Sequence, residues 1–324
     1  MKRIRHFINN TDINRFRFYF QIISFAVLIY GGYFAINISN NMPTFVCVFA
    51  ENRGGTCYLW PLQHQVNTPV RELLGGRGIG ILTGLATFFI LFILFNKAWC
   101  GFVCPLGSVQ DWITKVRARL GIRNSTYSET VFRKLKTIKY IVLILLILLP
   151  LGVSNLGLPY DLVTSYCMIC PARTILPLFS ADTSQLVADF SSKTMVVLTG
   201  LGMAVTGAFF TGAFIKKRFY CFYCPMSALH YVFSKTSLLR MTKDGSRCTR
   251  CGNCYRVCDM GIREIADDVK SRNIVKDDCM MCFKCVAACP EDACLEVRFI
   301  CLPVYSSTED GFFKRMERKC RNGN

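Results

Sequence analysis

Eight cysteines near the C-terminus are spaced as metal ligands. They form two runs with the pattern C-x2-C-x2-C-x3-C: Cys248, Cys251, Cys254 and Cys258, then Cys279, Cys282, Cys285 and Cys289. Cysteine thiolates hold iron-sulfur clusters, and a tight loop with three cysteines at this spacing supplies three corners of a cubane. The pattern predicts a [4Fe-4S] cluster at each run.

The fourth cysteine of each run is expected to serve the other cluster, as it does in two-cluster ferredoxins. One cluster is then held by Cys248, Cys251, Cys254 and Cys289, and the other by Cys279, Cys282, Cys285 and Cys258. The first run ends in Cys258-Asp259 where Cys-Pro is usual, which leaves the ligand set intact. The alternative is structural zinc, but zinc rarely takes three closely spaced cysteines plus a distant fourth, twice over.

Two further cysteine pairs follow apolar segments. Cys100 and Cys104 form C-x3-C-P, Cys221 and Cys224 form C-x2-C-P, and the two motifs look like an internal repeat. Because proline is favoured at the first helical position, Cys104 and Cys224 are expected at helix N-termini, where the dipole stabilises a thiolate. These four cysteines form a candidate site at the inner membrane face for a further cluster or another metal.

A second set of four cysteines lies in the other two loops: Cys47, Cys57, Cys167 and Cys170. This set is a candidate cluster site at the outer face, and the alternative is disulfide pairing in an oxidising compartment. Three cysteines have no partner spacing and are interpreted as packing or free thiols: Cys294, Cys301 and Cys320. Among only three histidines, His230 is interpreted as a polar contact, with a quinone contact as the alternative.

The composition indicates that a membrane positions these motifs. The 324 residues are 52% hydrophobic and have a mean hydropathy of +0.32, which is too apolar for one soluble domain. A bilayer core about 30 Å thick needs about 20 apolar residues per helix. Four segments satisfy this requirement: 18–38, 79–95, 138–158 and 195–215. For the third, which meets Pro150, a buried or re-entrant helix is the alternative.

Lysine and arginine residues predict the orientation of these spans. Of those that flank the spans, seventeen lie in residues 1–17, 97–139 and 216–218, against five in the two alternate loops. Because basic loops stay in the cytoplasm, both termini are predicted to be cytoplasmic, in the inner membrane. The net charge of +18 is thereby read as topology and not as a nucleic-acid surface.

The predicted fold class is therefore a membrane all-α protein with four transmembrane helices and a C-terminal α+β two-cluster ferredoxin domain of the bacterial type. The predicted domains are a transmembrane domain over 1–235, a cytoplasmic ferredoxin domain over 236–300 and a tail over 301–324.

Taken together, the motifs resemble the membrane polyferredoxins of the NapH, MauN and NosR type. The resemblance is carried by residues 100–107, residues 221–225 and the two ferredoxin runs. It implies a membrane subunit that moves electrons between the quinone pool or cytoplasmic donors and an outer-side reductase system. The chain departs from that pattern at Cys221 and Cys224, where the family usually has C-x3-C-P, and the loop cysteines have no mapped counterpart.

The function predicted from the sequence is an iron-sulfur electron-transfer subunit of an oxidoreductase complex, with other redox subunits and a quinone as candidate partners. One alternative is a factor that reduces or delivers a metal for another metalloenzyme, since Cys-Pro thiolates suit soft ions. Another is a redox sensor. A bilayer core of about 30 Å is too wide for direct tunnelling, so transfer across it requires centres inside it, a quinone or a partner subunit.

Overall fold

The computed structural model describes residues 12–73, 75–122, 129–276 and 278–321. The chain divides into two compact units. The first, here the ferredoxin unit, comprises the described parts of Met1–Phe20, Ile93–Phe102 and Tyr231–Asn324, and the second, here the helical unit, comprises Gln21–Phe92 and Val103–His230. The chain thus enters the ferredoxin unit three times, whereas the predicted domain boundaries follow chain order and stay a prediction.

Helices account for most of the chain before the ferredoxin motifs. In order they are α1 Ile13–Tyr30, α2 Leu59–Val66, α3 Val70–Leu73, α4 Gly76–Phe95, α5 Pro105–Arg119, α6 Glu129–Leu156, α7 Ser165–Ile169, α8 Pro171–Leu178, α9 Lys193–Ile215 and α10 Pro225–Phe233.

Three helices in the described part of the chain are long and apolar enough to cross a membrane. They provide the segments Gly78–Phe95 in α4, Thr137–Leu156 in α6 and Lys193–Ile215 in α9. Large apolar side chains on them, such as Ile90 and Val197, are exposed in the isolated chain, as expected for a surface that faces lipid. Three of the four predicted spans are therefore found, and α6 continues through Pro150 to Leu156.

The predicted first span, 18–38, is not one apolar helix. Helix α1 carries Arg17 and ends at Tyr30, and a short turn over Gly31–Phe34 follows it. The chain turns here because a later loop packs against it: the Gly32 N–H donates to the Asn52 carbonyl at 2.6 Å. A Cβ on Gly32 would lie 2.6 Å from the Asn52 backbone, so the loop approaches at a position that glycine leaves open.

The ferredoxin unit combines a small sheet with short helices. Its elements are α1 in part, β1 Leu239–Lys243, α11 Asn253–Arg256, α12 Glu264–Asp267, α13 Lys284–Ala287, β2 Leu295–Phe299, β3 Leu302–Ser306 and α14 Glu309–Arg321. The sheet is antiparallel in the order β1-β2-β3, and Met241, Val297 and Tyr305 pair across it with their side chains buried. This arrangement confirms the predicted α+β character of the C-terminal domain.

The two cysteine loops of this unit have the same backbone geometry. Arg250 and Met281, two residues after the first cysteine of each loop, have positive φ angles of 57° and 48°. Gly252 and Phe283, directly after the second cysteine, have φ angles of 75° and 62°. Each loop then enters a four-residue helix, α11 or α13. The left-handed residues curl each loop around its cysteines, so the sequence repeat is also a structural repeat.

Candidate iron-sulfur sites

One cavity of the ferredoxin unit is lined by four cysteines from both runs. They are Cys258, Cys279, Cys282 and Cys285. Backbone N–H groups point at two of the sulfurs, from Met281 to Cys279 and from Ile262 to Cys258, each at 3.4 Å. The structure therefore brings together the same four cysteines that the crossed arrangement assigns to one cluster.

Burial raises the pKa of Cys279 to about 12 and that of Cys258 to about 11. In the described residues, no group of three or more Cys, His, Asp or Glu side chains converges closely enough for a single ion. Zinc–sulfur bonds of about 2.3 Å require such convergence, with sulfurs about 3.8 Å apart. Four cysteines spread around a cavity fit the separate iron corners of a cubane better.

The other four cysteines of the ferredoxin unit also group across the two runs. Burial raises the pKa of Cys254, and the nearby charges of Cys289 and Cys251 raise it further. The neighbouring Cys294 lowers the pKa of Cys289 to about 7, and the Cys294 thiol itself donates to the Asp244 carbonyl at 3.6 Å. Cys294, which the sequence left without a role, therefore lies beside a predicted ligand.

The turn that carries Cys100 packs against the second ferredoxin loop. It spans Trp99–Val103 as a single wide turn of π-helix. A Cβ on Gly101 would lie 2.5 Å from the Met280 carbonyl oxygen and 3.4 Å from the Cys282 Cα. Only glycine permits this approach, because any side chain would push the two backbones apart. Cys100 is thereby brought next to the loop of one predicted cluster.

A buried ion network fastens this contact. The Arg17 Nε donates to the Gly101 carbonyl at 2.8 Å, and the Arg17 guanidinium pairs with Asp259 at 3.5 Å. The Lys284 ammonium also donates to Asp259, at 2.5 Å. Asp259 is the residue that replaces the usual proline after Cys258, so this departure supplies the acceptor for two cations.

In the helical unit, helix α5 positions the second membrane motif. Asp111 on α5 accepts two hydrogen bonds from the buried Arg218 guanidinium, at 2.8 and 2.6 Å. Its neighbour Gln110 accepts from the Tyr220 backbone N–H at 2.9 Å and reaches the Cys221 sulfur at 3.9 Å. Since α5 begins directly after Cys104, the helix that follows one Cys-Pro motif holds the other.

The predicted inner set is divided between the two units. Cys104, Cys221 and Cys224 belong to the helical unit, whereas Cys100 belongs to the ferredoxin unit. Within the helical unit, burial raises the pKa of Cys221, and the charge of the nearby Cys104 raises it further.

The structure brings the four loop cysteines together. The Cys57 backbone N–H donates to the Val46 carbonyl at 3.0 Å, which places Cys57 beside Cys47. Each of the four cysteines lies within electrostatic reach of the other three. Cys104 also lies within electrostatic reach of Cys57 and Cys170. The loop set is therefore near a cysteine that the sequence assigned to the opposite face.

Polar side chains that sequence analysis did not single out contact this loop set. Gln63 donates to the Cys167 sulfur at 3.0 Å. The hydroxyls of Tyr166 and Tyr220 lie 2.9 Å apart, and the Tyr220 hydroxyl is 3.8 Å from the Cys170 sulfur. For the two tyrosines, the only signal in the sequence for this role was their position directly before a cysteine, since tyrosines near span ends more often form an interface belt.

Two family models match the chain. A model described as a 4Fe-4S binding domain matches residues 78–123 and again 198–242. Each of these matches contains one Cys-Pro motif after a membrane-capable helix, in agreement with an internal repeat. A second model, described as a 4Fe-4S dicluster domain, matches residues 240–290.

Curated relatives are similar over much of the chain. The uncharacterized protein MJ0750 of Methanocaldococcus jannaschii is 24% identical over 68% of this chain and 80% of its own length. The ferredoxin-type protein NapH of Haemophilus influenzae is 25% identical over 86% of this chain and 88% of its own. The methylamine utilization ferredoxin-type protein MauN of Methylorubrum extorquens is 24% identical over 56% and 54%. No solved structure matches the chain.

Proposed function

We propose that this chain, which is similar to the ferredoxin-type proteins NapH and MauN and to NosR, is a membrane 4Fe-4S electron-transfer protein. It relays electrons between a cytoplasmic donor or the quinone pool and a partner redox enzyme at the membrane. The observation that carries the proposal is the packing of the Cys100 turn on the second ferredoxin loop, at Gly101 and Met280. It provides a direct structural route from the ferredoxin motifs to the first membrane motif.

The ligands proposed for the ferredoxin unit are two crossed sets. Cys258, Cys279, Cys282 and Cys285 would hold one [4Fe-4S] cluster, and Cys248, Cys251, Cys254 and Cys289 the other. When bound, such clusters accept and donate single electrons with little change in structure. The protein's own contribution is to hold the thiolates, direct backbone N–H groups at their sulfurs and keep water away from Cys279 and Cys285, which are buried.

The proposed topology has four crossings with both termini in the cytoplasm of the inner membrane. The excess of basic residues in residues 1–17, 97–139 and 216–218 supports it. The pairing of Arg17 with Asp259 supports it as well, because it ties the start of α1 to a ferredoxin loop. Helix α1 would then be the fourth crossing, completed by the turn and loop that follow Tyr30.

A substitution at Gly101 tests the relay. The protein is placed in vesicles with its ferredoxin unit outward, dithionite is added outside, and trapped ferricyanide reports electrons that cross. We expect Gly101→Ala to slow ferricyanide reduction while iron and acid-labile sulfide stay at the wild-type amount, because the added methyl group separates Cys100 from the loop of Cys282. The matched control is Gly207→Ala, where an added Cβ meets nothing within 4 Å.

Two results would contradict the proposal. Equal rates in Gly101→Ala and wild type would remove the route through this contact. Fewer than about eight iron atoms per chain would remove the pair of clusters in the ferredoxin unit itself.

A further inference from the structure

The turn that carries Cys167 and Cys170 lies against the middle of a membrane-capable helix. A side chain on Gly202 of α9 would collide with the Met168 carbonyl oxygen, and its Cβ would lie 3.4 Å from the Ile169 Cα. Along the helix, Gly202 is about 14 Å from Lys193 and about 20 Å from Ile215, at 1.5 Å per residue. The second loop therefore reaches to the centre of the span, although its sequence position suggested the outer face.

Cys57 reaches a similar depth on a different helix. Its neighbour Tyr58 is fully buried and stacks on Phe88 of α4, with ring centroids 4.6 Å apart. Phe88 lies about 15 Å from Gly78 and about 10 Å from Phe95 along α4. The loop that carries Cys57 thus enters the helical unit by roughly half the length of a membrane span.

Both loops meet the inner motif at this level. Phe45, two residues before Cys47, packs on the Tyr220 ring at 6.1 Å, and the Tyr220 hydroxyl is 3.8 Å from the Cys170 sulfur. Tyr220 directly precedes Cys221 of the second Cys-Pro motif. Residues from both loops and from the opposite end of α9 therefore converge in one region of the helical unit.

We propose that Cys47, Cys57, Cys167 and Cys170 form one four-thiolate site for an iron-sulfur cluster at mid-membrane depth, next to Tyr220 of the second Cys-Pro motif. This inference rests on the proposed electron relay and adds the position of its next centre. A disulfide scaffold at the outer surface, the alternative considered for these cysteines, does not account for their depth. The chemistry of the donor set, four thiols without histidine or carboxylate, suits a cluster.

The position removes the distance problem of a bilayer about 30 Å thick. A centre halfway along the spans divides that distance into steps of about 15 Å. The Tyr220 hydroxyl, 3.8 Å from the Cys170 sulfur, places the residue that precedes Cys221 of the second Cys-Pro motif next to this site. One chain could then carry electrons across most of the membrane without a quinone between its own centres.

The test uses Gly202→Ala and Gly200→Ala in the full-length protein, purified anaerobically. An added methyl at Gly202 displaces the Met168 carbonyl, whereas at Gly200 it meets nothing within 4 Å. We expect Gly202→Ala to lose about four iron atoms per chain and one EPR signal, and Gly200→Ala to keep both. The signals of the ferredoxin unit should be unchanged in each variant.

Single substitutions of the proposed ligands provide the second measurement. Cys47→Ser, Cys57→Ser, Cys167→Ser and Cys170→Ser should each abolish the same EPR signal, and Cys301→Ser, at an exposed thiol, should abolish none. A wild-type iron content no higher than the ferredoxin unit accounts for, or zinc in place of iron, would overturn this inference and leave the ferredoxin clusters standing. Absence of the EPR signals of the ferredoxin unit from the wild-type protein would instead refute the proposed function.

Discussion

Cys258 is the side chain on which the crossed arrangement of the ferredoxin sites depends. It belongs to the first run by sequence, yet it lines the cavity formed by three cysteines of the second run. Its sulfur also lies within electrostatic reach of Cys282. Crossed ligation would make the two sites one folding unit, since neither run completes its own set.

A substitution of Cys258 distinguishes crossed from uncrossed ligation. We expect Cys258→Ala to abolish the cluster signal that is also lost in Cys279→Ala, and to keep the signal that is lost in Cys251→Ala. EPR of the dithionite-reduced protein, with iron analysis, measures this. If Cys258→Ala and Cys251→Ala lost the same signal, each run would hold its own cluster and the crossed assignment would be wrong.

Residue spacing predicted the cysteine sets but not the residues that support them. Asp259 was visible only as a departure from Cys-Pro, and its pairing with Arg17 joins positions 242 residues apart in the sequence. Cys294 was set aside because it lacks a CxxC partner, although the fold places it against Cys289. Such contacts depend on the three-dimensional path of the chain, which local spacing does not encode.

Helix boundaries set by local chemistry were predicted well. Pro105 and Pro225 begin α5 and α10, so Cys104 and Cys224 directly precede helices as the Cys-Pro rule indicates. Cys170 is a third case, because Pro171 begins helix α8 directly after it. The predicted end of the first span, at residue 38, was wrong because a tertiary contact decides where the helix ends. The backbone N–H of Gly54, in a later loop, donates to the Leu28 carbonyl at 3.0 Å.

Helix α5 holds the second Cys-Pro motif chiefly through Asp111. We expect Asp111→Asn to destabilise the helical unit by about 3 kcal/mol, because it leaves the Arg218 guanidinium, 1% exposed, without its carboxylate. Unfolding in mixed micelles of increasing denaturing detergent measures the change. Asp182→Asn, at a loop carboxylate that caps Ser184, is the control and should change stability far less. Equal stability of Asp111→Asn and wild type would show that the ion pair does not position this motif.

At the scale of the whole molecule, composition predicted the membrane character and the motifs predicted the iron-sulfur character. The membrane-capable helices and the 4Fe-4S domain matches confirm both. The depth of the loops was not readable. A loop with few basic residues between two apolar runs has the same sequence signature whether it lies on the surface or folds back into the helices. Glycines at which backbones meet closely, such as those at positions 32, 54 and 202, hint at this re-entry.

Accessibility labelling tests the proposed topology with thiols that lie outside every proposed site. Cys301 is exposed, and Asn14 and Ser184 offer exposed positions near the start of α1 and in the loop before α9. In a Cys320→Ser background, a membrane-impermeant maleimide should label Cys301 only in inside-out vesicles. With Cys301→Ser added, Asn14→Cys should likewise be labelled only in inside-out vesicles. Ser184→Cys in the same background should be labelled only in right-side-out vesicles, because three crossings separate it from Asn14.

Labelling of Asn14→Cys from the outer side would mean that α1 does not cross, and the fourth crossing would have to be abandoned. Labelling of Cys301 from that side would reverse the direction in which electrons reach the mid-membrane cysteines, while leaving the packing of Gly101 on the ferredoxin loop unchanged.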